Sequence, residues 1–521
     1  MINLRVGDLV VRNAERSPDA AALIEGNRVI SWHELDRTTN RIANGLLQAG
    51  LVKGDRVATI VRNGAASVEM IFALAKGGLL AVPINYGLTP AEIKVLFDDS
   101  KPNAIVIDAE FVDAFGALLD RPGVSVIVRG ENAARPGWIS HHELCANAAD
   151  TTPPVENDPD EIRTIRYTSG TTAAPKGCLG THRQILSSIN NFFTQLPVAK
   201  DGPFLQMLPL FSGAGIWMAI AAAWHGVGNV LMADFNPQTA LRQIETHRVT
   251  HTCGVPTMMS RLVDELSKSS YQIESLRLFG YTGAKMPPNT IRRALEVLQC
   301  DFYQGFGGGE MGGLVSYLMP EDHRTAREQG GAPAKLASAG QPARYAEICI
   351  RDLKDGTPLL TANEVGEITV RSPSNFSGYL NRPEETARTL RGEWVYTGDV
   401  GYLDDDGYLF AVDRAKDMVV TGGMNVSSAE VEAVLSEHPA VGTVAVIGLP
   451  SEEWGEQVTA VVSLRDGFEV SEAELIGFAR KQLAGYKSPK AVHFISTFPM
   501  NSVGKILKRE LRDQLAPGKR G

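Results

Sequence analysis

The chain has 521 residues, of which 44% are hydrophobic and 21% charged, so it holds enough apolar material for more than one folded domain. Its formal net charge of -9 excludes a general nucleic-acid binder, because such a protein presents a basic surface. The 5 cysteines form no CxxC pair, which argues against a disulfide framework or a structural zinc site and predicts a cytoplasmic protein. No basic segment followed by an apolar run opens the chain, so we expect no secretory signal.

The N-terminal part of the chain alternates short apolar runs with helical segments. Residues 55–61, 80–83 and 104–107 are predicted strands, and residues 66–76 and 90–98 are predicted helices. Apolar strands separated by helices predict parallel βαβ units in which the sheet is covered on both faces.

Residues 202–233 contain no Asp, Glu, Lys or Arg, which raises the question of a membrane span. Prolines and glycines interrupt the segment too often for a spanning helix. We therefore predict a buried strand, turn, helix and strand of a large domain, and expect no membrane span.

From about residue 413 the pattern changes to a βαββαβ alternation, which predicts a separate α+β unit. The predicted elements are a strand at 418–421, a helix at 428–438, strands at 441–448 and 458–464, a helix at 471–483 and a strand at 492–495.

A loop at residues 167–177 is rich in glycine and hydroxyl groups and contains one lysine, Lys176. Backbone N–H groups, short hydroxyl donors and an ammonium group are what phosphate oxygens bind, so the loop predicts a phosphate site. Pro175 and Gly177 flank the lysine, which excludes a Walker A loop because that motif needs Gly-Lys-Ser/Thr.

A second glycine cluster spans residues 304–313 and leaves two hypotheses open. Gly307 to Gly312 satisfies GxGxxG, which allows a dinucleotide-binding oxidoreductase that binds NAD(P). The same cluster carries Phe306, which can stack on a base, and Glu310, which can bind a divalent cation that accompanies polyphosphate.

Two further clusters carry charge. Asp399 ends a Thr-Gly-Asp triplet, and Arg414 and Lys416 lie in the charged segment that follows. Near the end of the chain, Lys505 follows Gly504, and a lysine after a glycine turn can place a point charge between two anions.

Together, and in this order, the four clusters resemble the adenylate-forming enzymes, a superfamily of AMP-dependent synthetases and ligases. It includes acyl-CoA synthetases, aryl-CoA ligases, luciferases and peptide-synthetase adenylation domains. The resemblance covers nearly the whole chain and also includes residues 31–35 and 54–57. It implies an α/β fold with a large N-terminal adenylation domain of βαβ-type sheets and flanking helices, residues 1–415. It also implies a small mobile α+β lid domain, residues 416–521, that carries the catalytic lysine.

The resemblance implies an acyl-CoA synthetase. Such an enzyme adenylates a carboxylic acid with ATP, releases pyrophosphate, and transfers the acyl group to coenzyme A. Expected cofactors are therefore ATP, Mg²⁺ and coenzyme A, and the expected partner is a small-molecule carboxylic acid rather than a nucleic acid. A homodimer stays open.

The resemblance also assigns roles to residues. The loop would hold the β- and γ-phosphates, Gly283 to Lys285 would flank adenine, and Phe306 would stack on it. Asp399 would bind the ribose, Arg414 the ribose or phosphate, and Gly423 the pantetheine arm. The catalytic set is Lys505, Glu310 and Thr168, with Glu310 also the metal ligand and Lys416 the hinge. The cofactor-binding set is Ser169, Gly170, Thr171, Thr172, Lys176, Gly283, Ala284, Lys285, Phe306, Asp399, Arg414 and Gly423, and the substrate-binding set is Ser212, Gly213, Gly305, Gly307 and Gly309.

Three positions depart from the family pattern: Ala173 in the phosphate loop, Gly309 in place of a hydroxyl residue, and Ser212 in place of a frequent histidine. They keep two alternatives open, an adenylate-forming enzyme with another acceptor and a catalytically silent adenylate-binding protein. The glycines around the expected acyl site predict room for a medium-chain, alicyclic or aromatic acid. The lack of an obvious cation argues against a second carboxylate on that acid.

Overall fold

The computed structural model describes residues 4–130, 135–168, 175–284, 286, 288–328, 334–414, 417–421, 424–451, 454–465, 467–500 and 506–516. The chain divides into two compact units. The first unit consists of Met1–Glu347 and Val370–Val395, and the second unit consists of Ile348–Thr369 and Tyr396–Gly521. These divisions differ from the predicted domain boundary at 415/416. That boundary stays a prediction, because residues 415 and 416 lie outside the described part of the chain.

Several helices begin at a residue whose side chain caps them, and Ser31, Thr89 and Thr181 each accept a hydrogen bond from the N–H of the third residue beyond. Two short 3₁₀ turns lie at Ala109–Phe111 and Ala334–Ala337. In the described residues the helices are α1 (Asp8–Arg16), α2 (Trp32–Gln48), α3 (Ala65–Lys76), α4 (Pro90–Ser100), α5 (Val112–Leu119), α6 (His141–Ala146), α7 (His182–Phe193), α8 (Gly213–His225), α9 (Pro237–His247), α10 (Pro256–Leu266), α11 (Pro288–Val297), α12 (Pro320–Glu328), α13 (Pro383–Thr389), α14 (Ser428–Ser436), α15 (Glu472–Arg480) and α16 (Lys508–Leu515).

The strands are short and mostly buried, as strands between covering helices are expected to be. In the described residues they are β1 (Ala21–Glu25), β2 (Arg28–Ser31), β3 (Arg56–Ile60), β4 (Leu80–Pro83), β5 (Ala104–Asp108), β6 (Ser125–Arg129), β7 (Ile139–Ser140), β8 (Ile162–Thr168), β9 (Lys176–Thr181), β10 (Phe204–Gln206), β11 (Asn229–Leu231), β12 (His251–Gly254), β13 (Leu278–Thr282), β14 (Asp301–Gly308), β15 (Gly313–Leu318), β16 (Gln341–Pro342), β17 (Glu347–Arg351), β18 (Gly366–Arg371), β19 (Gly378–Tyr379), β20 (Leu390–Arg391), β21 (Trp394–Leu403), β22 (Leu409–Arg414), β23 (Val419–Thr421), β24 (Met424–Val426), β25 (Val441–Ser451), β26 (Gly455–Leu464) and β27 (Ala491–Phe494).

The first unit contains an eight-stranded sheet of order β19-β9-β8-β4-β3-β5-β6-β7. Strand β3 pairs in parallel with both β4 and β5, which confirms the predicted βαβ units. Alternate residues of β3 enter different cores, since Ala58 and Ile60 pack with Phe97 while Val57 packs with Leu46. Burial on both faces explains why this strand is apolar throughout its centre.

A nine-stranded sheet of order β16-β15-β14-β13-β12-β10-β11-β1-β2 completes the first unit. The predicted strand, turn, helix and strand between 202 and 233 is confirmed as β10, α8 and β11. Residues 215–223 of α8 are all buried, which accounts for the absence of charge. Within the described residues, the structure has no helix whose length and apolar character would let it cross a bilayer.

The GxGxxG match at Gly307–Gly312 does not form a dinucleotide-binding turn. Such a turn joins a strand to a helix, whereas β14 here is followed by a turn and the antiparallel strand β15. The hypothesis of an oxidoreductase built on these glycines is therefore wrong. They allow close approach instead, because a Cβ at Gly307 would lie 1.9 Å from the carbonyl oxygen of Gly313.

The second unit contains the sheet β24-β23-β26-β25, with β27 paired to β26. Helices α14 and α15 contribute Val431, Leu435 and Leu475 to the core against this sheet. The predicted βαββαβ alternation is thereby confirmed, with β24 as an added short strand. A further five-stranded sheet has the order β17-β18-β21-β20, with β22 paired to β21.

Three buried histidines in the first unit make its stability depend on pH. Burial is the main cause that lowers the pKa of His182 and His251 to about 3, and that of His323 to about 4. The unfolded chain therefore binds more protons than the folded chain between about pH 6.5 and pH 4. We expect the free energy of unfolding to fall as the pH falls through this range, by up to about 1.4 kcal/mol per pH unit for each histidine. Urea unfolding at pH 7, 6 and 5 measures this loss.

The variant His251→Phe tests whether the buried histidines cause the loss of stability on acidification. His251 lies between Phe192 and Phe204, so a phenyl ring suits the site. We expect the variant to lose less stability on acidification than the parent. Equal losses in both proteins would contradict the assignment to buried histidines.

Candidate active site

Glu310 lies in the turn between β14 and β15, and the fold holds both its backbone and its side chain. Its carbonyl oxygen accepts a hydrogen bond from the N–H of Phe376 at 2.9 Å. Its Oε1 accepts a hydrogen bond from the hydroxyl of Tyr379 at 2.7 Å. Burial, and then the Glu310 carboxylate, raise the pKa of Tyr379, so the hydroxyl keeps its proton and donates. Oε2 makes no hydrogen bond with a described residue and is available as a ligand.

Lys176 lies beside the same tyrosine. Its Nζ is 5.0 Å from the ring centre of Tyr379 and 2.7 Å from Oε2 of Glu385. The Lys176 ammonium lowers the pKa of Glu385, which keeps that carboxylate charged. The predicted phosphate-binding cation and the predicted metal ligand therefore contact opposite parts of one tyrosine, although they are far apart in the sequence.

The predicted phosphate loop joins two paired strands. Strands β8 and β9 are antiparallel, and Thr168 is the register partner of Lys176. The fold thus brings the two ends of the loop together. The predicted residues Ser169, Gly170, Thr171 and Thr172 lie outside the described residues, as does the side chain of Thr168.

The predicted adenine-binding residues come from adjacent parallel strands. Strand β13 ends at Thr282, whose register partner in β14 is Gly305, and the Thr282 hydroxyl donates to the Gly305 carbonyl at 2.7 Å. Gly283 and Ala284 follow the end of β13 and are exposed, and Phe306 follows Gly305. Ligands bind at the carboxyl ends of parallel strands, which fits these residues. The predicted Lys285 lies outside the described residues.

Ser212 and Gly213 lie at the beginning of α8. The Ser212 hydroxyl accepts from the N–H of Gly215 at 3.1 Å and donates to the Pro209 carbonyl at 2.7 Å. This hydroxyl therefore caps the helix. At Gly213 an added Cβ would lie 2.9 Å from Nη1 of Arg166, so a guanidinium group occupies the adjacent space.

The glycines of β13 and β14 make room for other side chains of the protein. A Cβ at Gly305 would lie 2.4 Å from the side chain of Leu314, and a Cβ at Gly280 would lie 2.2 Å from the ring of Tyr303. Gly309 offers its carbonyl oxygen to Nη2 of Arg166 at 3.4 Å. The lack of side chains at these glycines is therefore no measure of the size of an acyl pocket.

The turn that carries Glu310 also requires a glycine at 312. Gly312 has φ +66°, and a Cβ there would lie 1.8 Å from the carbonyl oxygen of Ser374. We expect Gly312→Ala to lower the free energy of unfolding by about 3 kcal/mol or more, because the backbone must shift. Urea unfolding monitored by fluorescence measures the loss.

Gly392→Ala is the matched control for this prediction. Gly392 has φ +60°, but an added Cβ would meet nothing within 4 Å. The control variant therefore loses only the free energy of holding alanine at positive φ, about 1 kcal/mol, and has no steric clash of the kind expected with Ser374. Equal losses in the two variants would show that the contact with Ser374 contributes nothing.

In the second unit, Asp399 and Arg414 are register partners on the antiparallel strands β21 and β22. The N–H of Asp399 donates to the Thr397 hydroxyl at 3.0 Å, and the N–H of Gly398 donates to Oε1 of Glu367 at 3.1 Å. Two residues predicted to contact the nucleotide are thus neighbours in one sheet. Lys416, Gly423 and Lys505 lie outside the described residues, as does the side chain of Arg414.

Sequence reasoning missed three residues of this site: Tyr379, Glu385 and Arg166. Nothing near Tyr379 or Glu385 in the sequence indicates their partners. Arg166 carried a signal, because it lies directly before the phosphate loop and next to the apolar residue Ile165.

Comparison with known proteins agrees with this geometry. A model of the AMP-binding enzyme family matches residues 10–380, and a model of the AMP-binding enzyme C-terminal domain matches residues 430–505. A feruloyl-CoA synthase of Amycolatopsis sp is 35% identical over 514 residues, 98% of this chain and 99% of the relative. A 2-succinylbenzoate–CoA ligase of Geobacillus kaustophilus is 35% identical over 497 residues, 95% of each protein.

Among solved structures, the o-succinylbenzoate CoA synthetase of Bacillus subtilis, in complex with its acyl-adenylate intermediate, has a TM-score of 0.86 and 29% identity. The match covers 98% of this chain and 99% of that one. The chain therefore belongs to the AMP-binding enzymes, the adenylate-forming superfamily. Within that family it is of the acyl-CoA synthetase type, a ligase that forms AMP. The predicted family and α/β fold are confirmed.

Proposed function

We propose that this protein joins a carboxylic acid to coenzyme A in two steps. The acid's carboxylate oxygen attacks the α-phosphorus of ATP, the bond to the β-phosphate oxygen breaks, and pyrophosphate leaves. The thiolate of coenzyme A then attacks the acyl carbon of the acyl-AMP, and AMP leaves with the bonding electron pair. The observation that carries this proposal is the cluster of Lys176, Tyr379 and Glu310, which sets a cation and a carboxylate beside the ends of a phosphate loop.

Glu310 fits a magnesium ion that arrives with the nucleotide. The described residues contain no group of three or more His, Cys, Asp or Glu side chains placed to hold a metal. Magnesium is commonly bound by one or two carboxylates together with substrate phosphates, and Oε2 of Glu310 is such a ligand. When bound, the ion neutralises phosphate charge. Tyr379 orients the Glu310 carboxylate for this task.

The other residues divide the remaining work. Lys176 binds phosphate oxygens, and Phe306 with Gly283 and Ala284 holds the adenine. Asp399 binds the ribose, and Arg414 binds the ribose or a phosphate. Lys505 supplies positive charge where the carboxylate approaches the α-phosphate, since two anions repel each other there. The family resemblance supports a further role for Lys416 as a hinge and for Gly423 as the passage for pantetheine.

Pyrophosphate release with Mg²⁺ and ATP, measured against a panel of acids with and without coenzyme A, tests the function. We expect release that depends on an acid and consumes coenzyme A. The names of the relatives support aromatic acids in the panel, beside medium-chain and alicyclic ones. Release without consumption of coenzyme A would indicate another acceptor. Binding of ATP without release for any acid would indicate a silent adenylate-binding protein.

A further inference from the structure

Two arginines are buried on strand β8, directly before the phosphate loop. Arg163 is 5% exposed and Arg166 is 9% exposed. Among the described residues no carboxylate lies within ion-pair distance of either guanidinium group, and Glu310 acts on Arg166 only through its electrostatic field. A buried charge without an ion-pair partner is costly, and an anionic ligand would reduce that cost.

The guanidinium group of Arg166 has N–H donors that the described residues do not use. Among the described residues, its one hydrogen bond runs from Nη2 to the Gly309 carbonyl and is long, at 3.4 Å. Its Nε has no hydrogen-bond partner in the same part of the chain, although a guanidinium offers five N–H donors. Burial lowers the pKa of Arg166, and the Glu310 carboxylate opposes this effect. The side chain is a cation at neutral pH, and the described residues leave several of its N–H donors without an acceptor.

Arg166 lies between two segments that the family resemblance assigns to the acid substrate. One is the start of α8, where Nη1 is 2.9 Å from the Cβ position of Gly213. The other is the residue before Glu310, where Nη2 contacts the Gly309 carbonyl. The sequence showed no obvious cation near the expected acyl site, and Arg166 is a cation that the sequence analysis did not consider there.

We infer that Arg166 binds a second carboxylate of the acid, so that the preferred substrates are dicarboxylic acids. This inference rests on the proposed function. A guanidinium group matches a carboxylate in a two-bond geometry. The reacting carboxylate is the poorer partner, because it loses its charge on adenylation and an ion pair would stabilise it before it attacks. A second carboxylate keeps its charge through both steps and retains the pair throughout.

The direction of approach follows from the packing. Arg163 and Arg166 line a cavity of about 10 Å³ together with Thr181 and Gln184. That volume holds about one water and excludes an organic carboxylate. The inference places the second carboxylate instead on the side of Gly213 and Gly309, the two residues that the Arg166 guanidinium group adjoins. The atoms nearest to a Cβ at Gly213 belong to Arg166 and not to Arg163, which makes Arg163 the matched control.

The test compares acids with and without a second carboxylate. The pairs are hexanoate with adipate and phenylacetate with homophthalate, assayed by pyrophosphate release and by calorimetric binding in the presence of a non-hydrolysable ATP analogue. We expect the parent protein to prefer the dicarboxylate at least tenfold in kcat/KM. Arg166→Gln should lower kcat/KM for dicarboxylates at least about tenfold more than it lowers kcat/KM for monocarboxylates.

Two variants keep the result interpretable. Arg163→Gln removes a buried charge from the same strand and should change kcat/KM by the same factor for both acids of a pair. Arg166→Lys keeps the charge without the planar fork and should retain an intermediate preference. The inference is overturned if the parent protein shows no preference for dicarboxylates. It is also overturned if Arg166→Gln lowers kcat/KM for both acids of a pair by the same factor. Should no acid release pyrophosphate, the proposed function fails. Binding of adipate or homophthalate that is lost in Arg166→Gln would then still support the second-carboxylate site, and no binding to the parent would overturn it.

Discussion

Lys505→Ala is expected to lower acid-dependent pyrophosphate release by about 10²–10³-fold while leaving thioester formation from supplied acyl-AMP within about threefold. The reason lies in the charges of the two steps. In the first step a carboxylate approaches a phosphate, so removing a cation from that point raises the barrier. In the second step a thiolate attacks an acyl carbon and AMP leaves, and the resemblance assigns Lys505 no part in it. Rapid-quench assays of each half reaction measure the two rates separately.

The control for this variant is Lys481→Ala. Lys481 caps the end of α15 and is exposed, so its replacement removes an ammonium group from the same compact unit without touching the proposed chemistry. Both half reactions should proceed at the parent rate in the control. An equal loss of both half reactions in Lys505→Ala would contradict the division of roles.

Glu310→Gln is expected to lower pyrophosphate release by about 10²-fold and to raise the magnesium concentration needed for half-maximal rate. Glutamine keeps the size of the side chain and still accepts a hydrogen bond from Tyr379, which is 2.7 Å from Glu310. The change therefore removes mainly the negative charge. A magnesium titration at saturating ATP and acid measures both effects.

Tyr379→Phe separates the charge of Glu310 from its orientation. The phenyl ring still packs against Phe376, which meets Tyr379 edge-on at 4.9 Å, but the hydrogen bond to Glu310 is lost. We expect a smaller loss of rate, about 3- to 10-fold, because the carboxylate remains but is held less firmly. If Glu310→Gln left the magnesium titration unchanged, Glu310 would not be the metal ligand.

Much of the fold is predictable from local patterns. The strands and helices between residues 55 and 107 follow from apolar runs and their spacing, and the C-terminal alternation follows in the same way. The strand, turn, helix and strand at 202–233 follows from an uncharged segment broken by glycine and proline. In each case the burial of a segment restricts its residue types, so the secondary structure of that segment can be predicted from its own sequence.

The site is predictable only where a motif names its residues. Glu310 and Lys176 belong to motifs, but the contact of Tyr379 with Glu310 spans 69 positions and no pattern announces it. Glycines are a second reason why the site could not be fully predicted from the sequence. At Gly305 the space is filled by Leu314, and only the tertiary structure distinguishes a glycine that admits a neighbour from one that opens a pocket.

Under the role proposed for Lys176, its ion pair with Glu385 makes nucleotide binding an exchange reaction. Its two charged groups are 2.7 Å apart, and the lysine must leave this carboxylate or share itself before it can hold a phosphate. An incoming ligand gains Lys176 only by offering more negative charge than the single carboxylate that it displaces. On this proposal we expect Glu385 to favour a polyphosphate chain over an isolated monoanion as the ligand of Lys176.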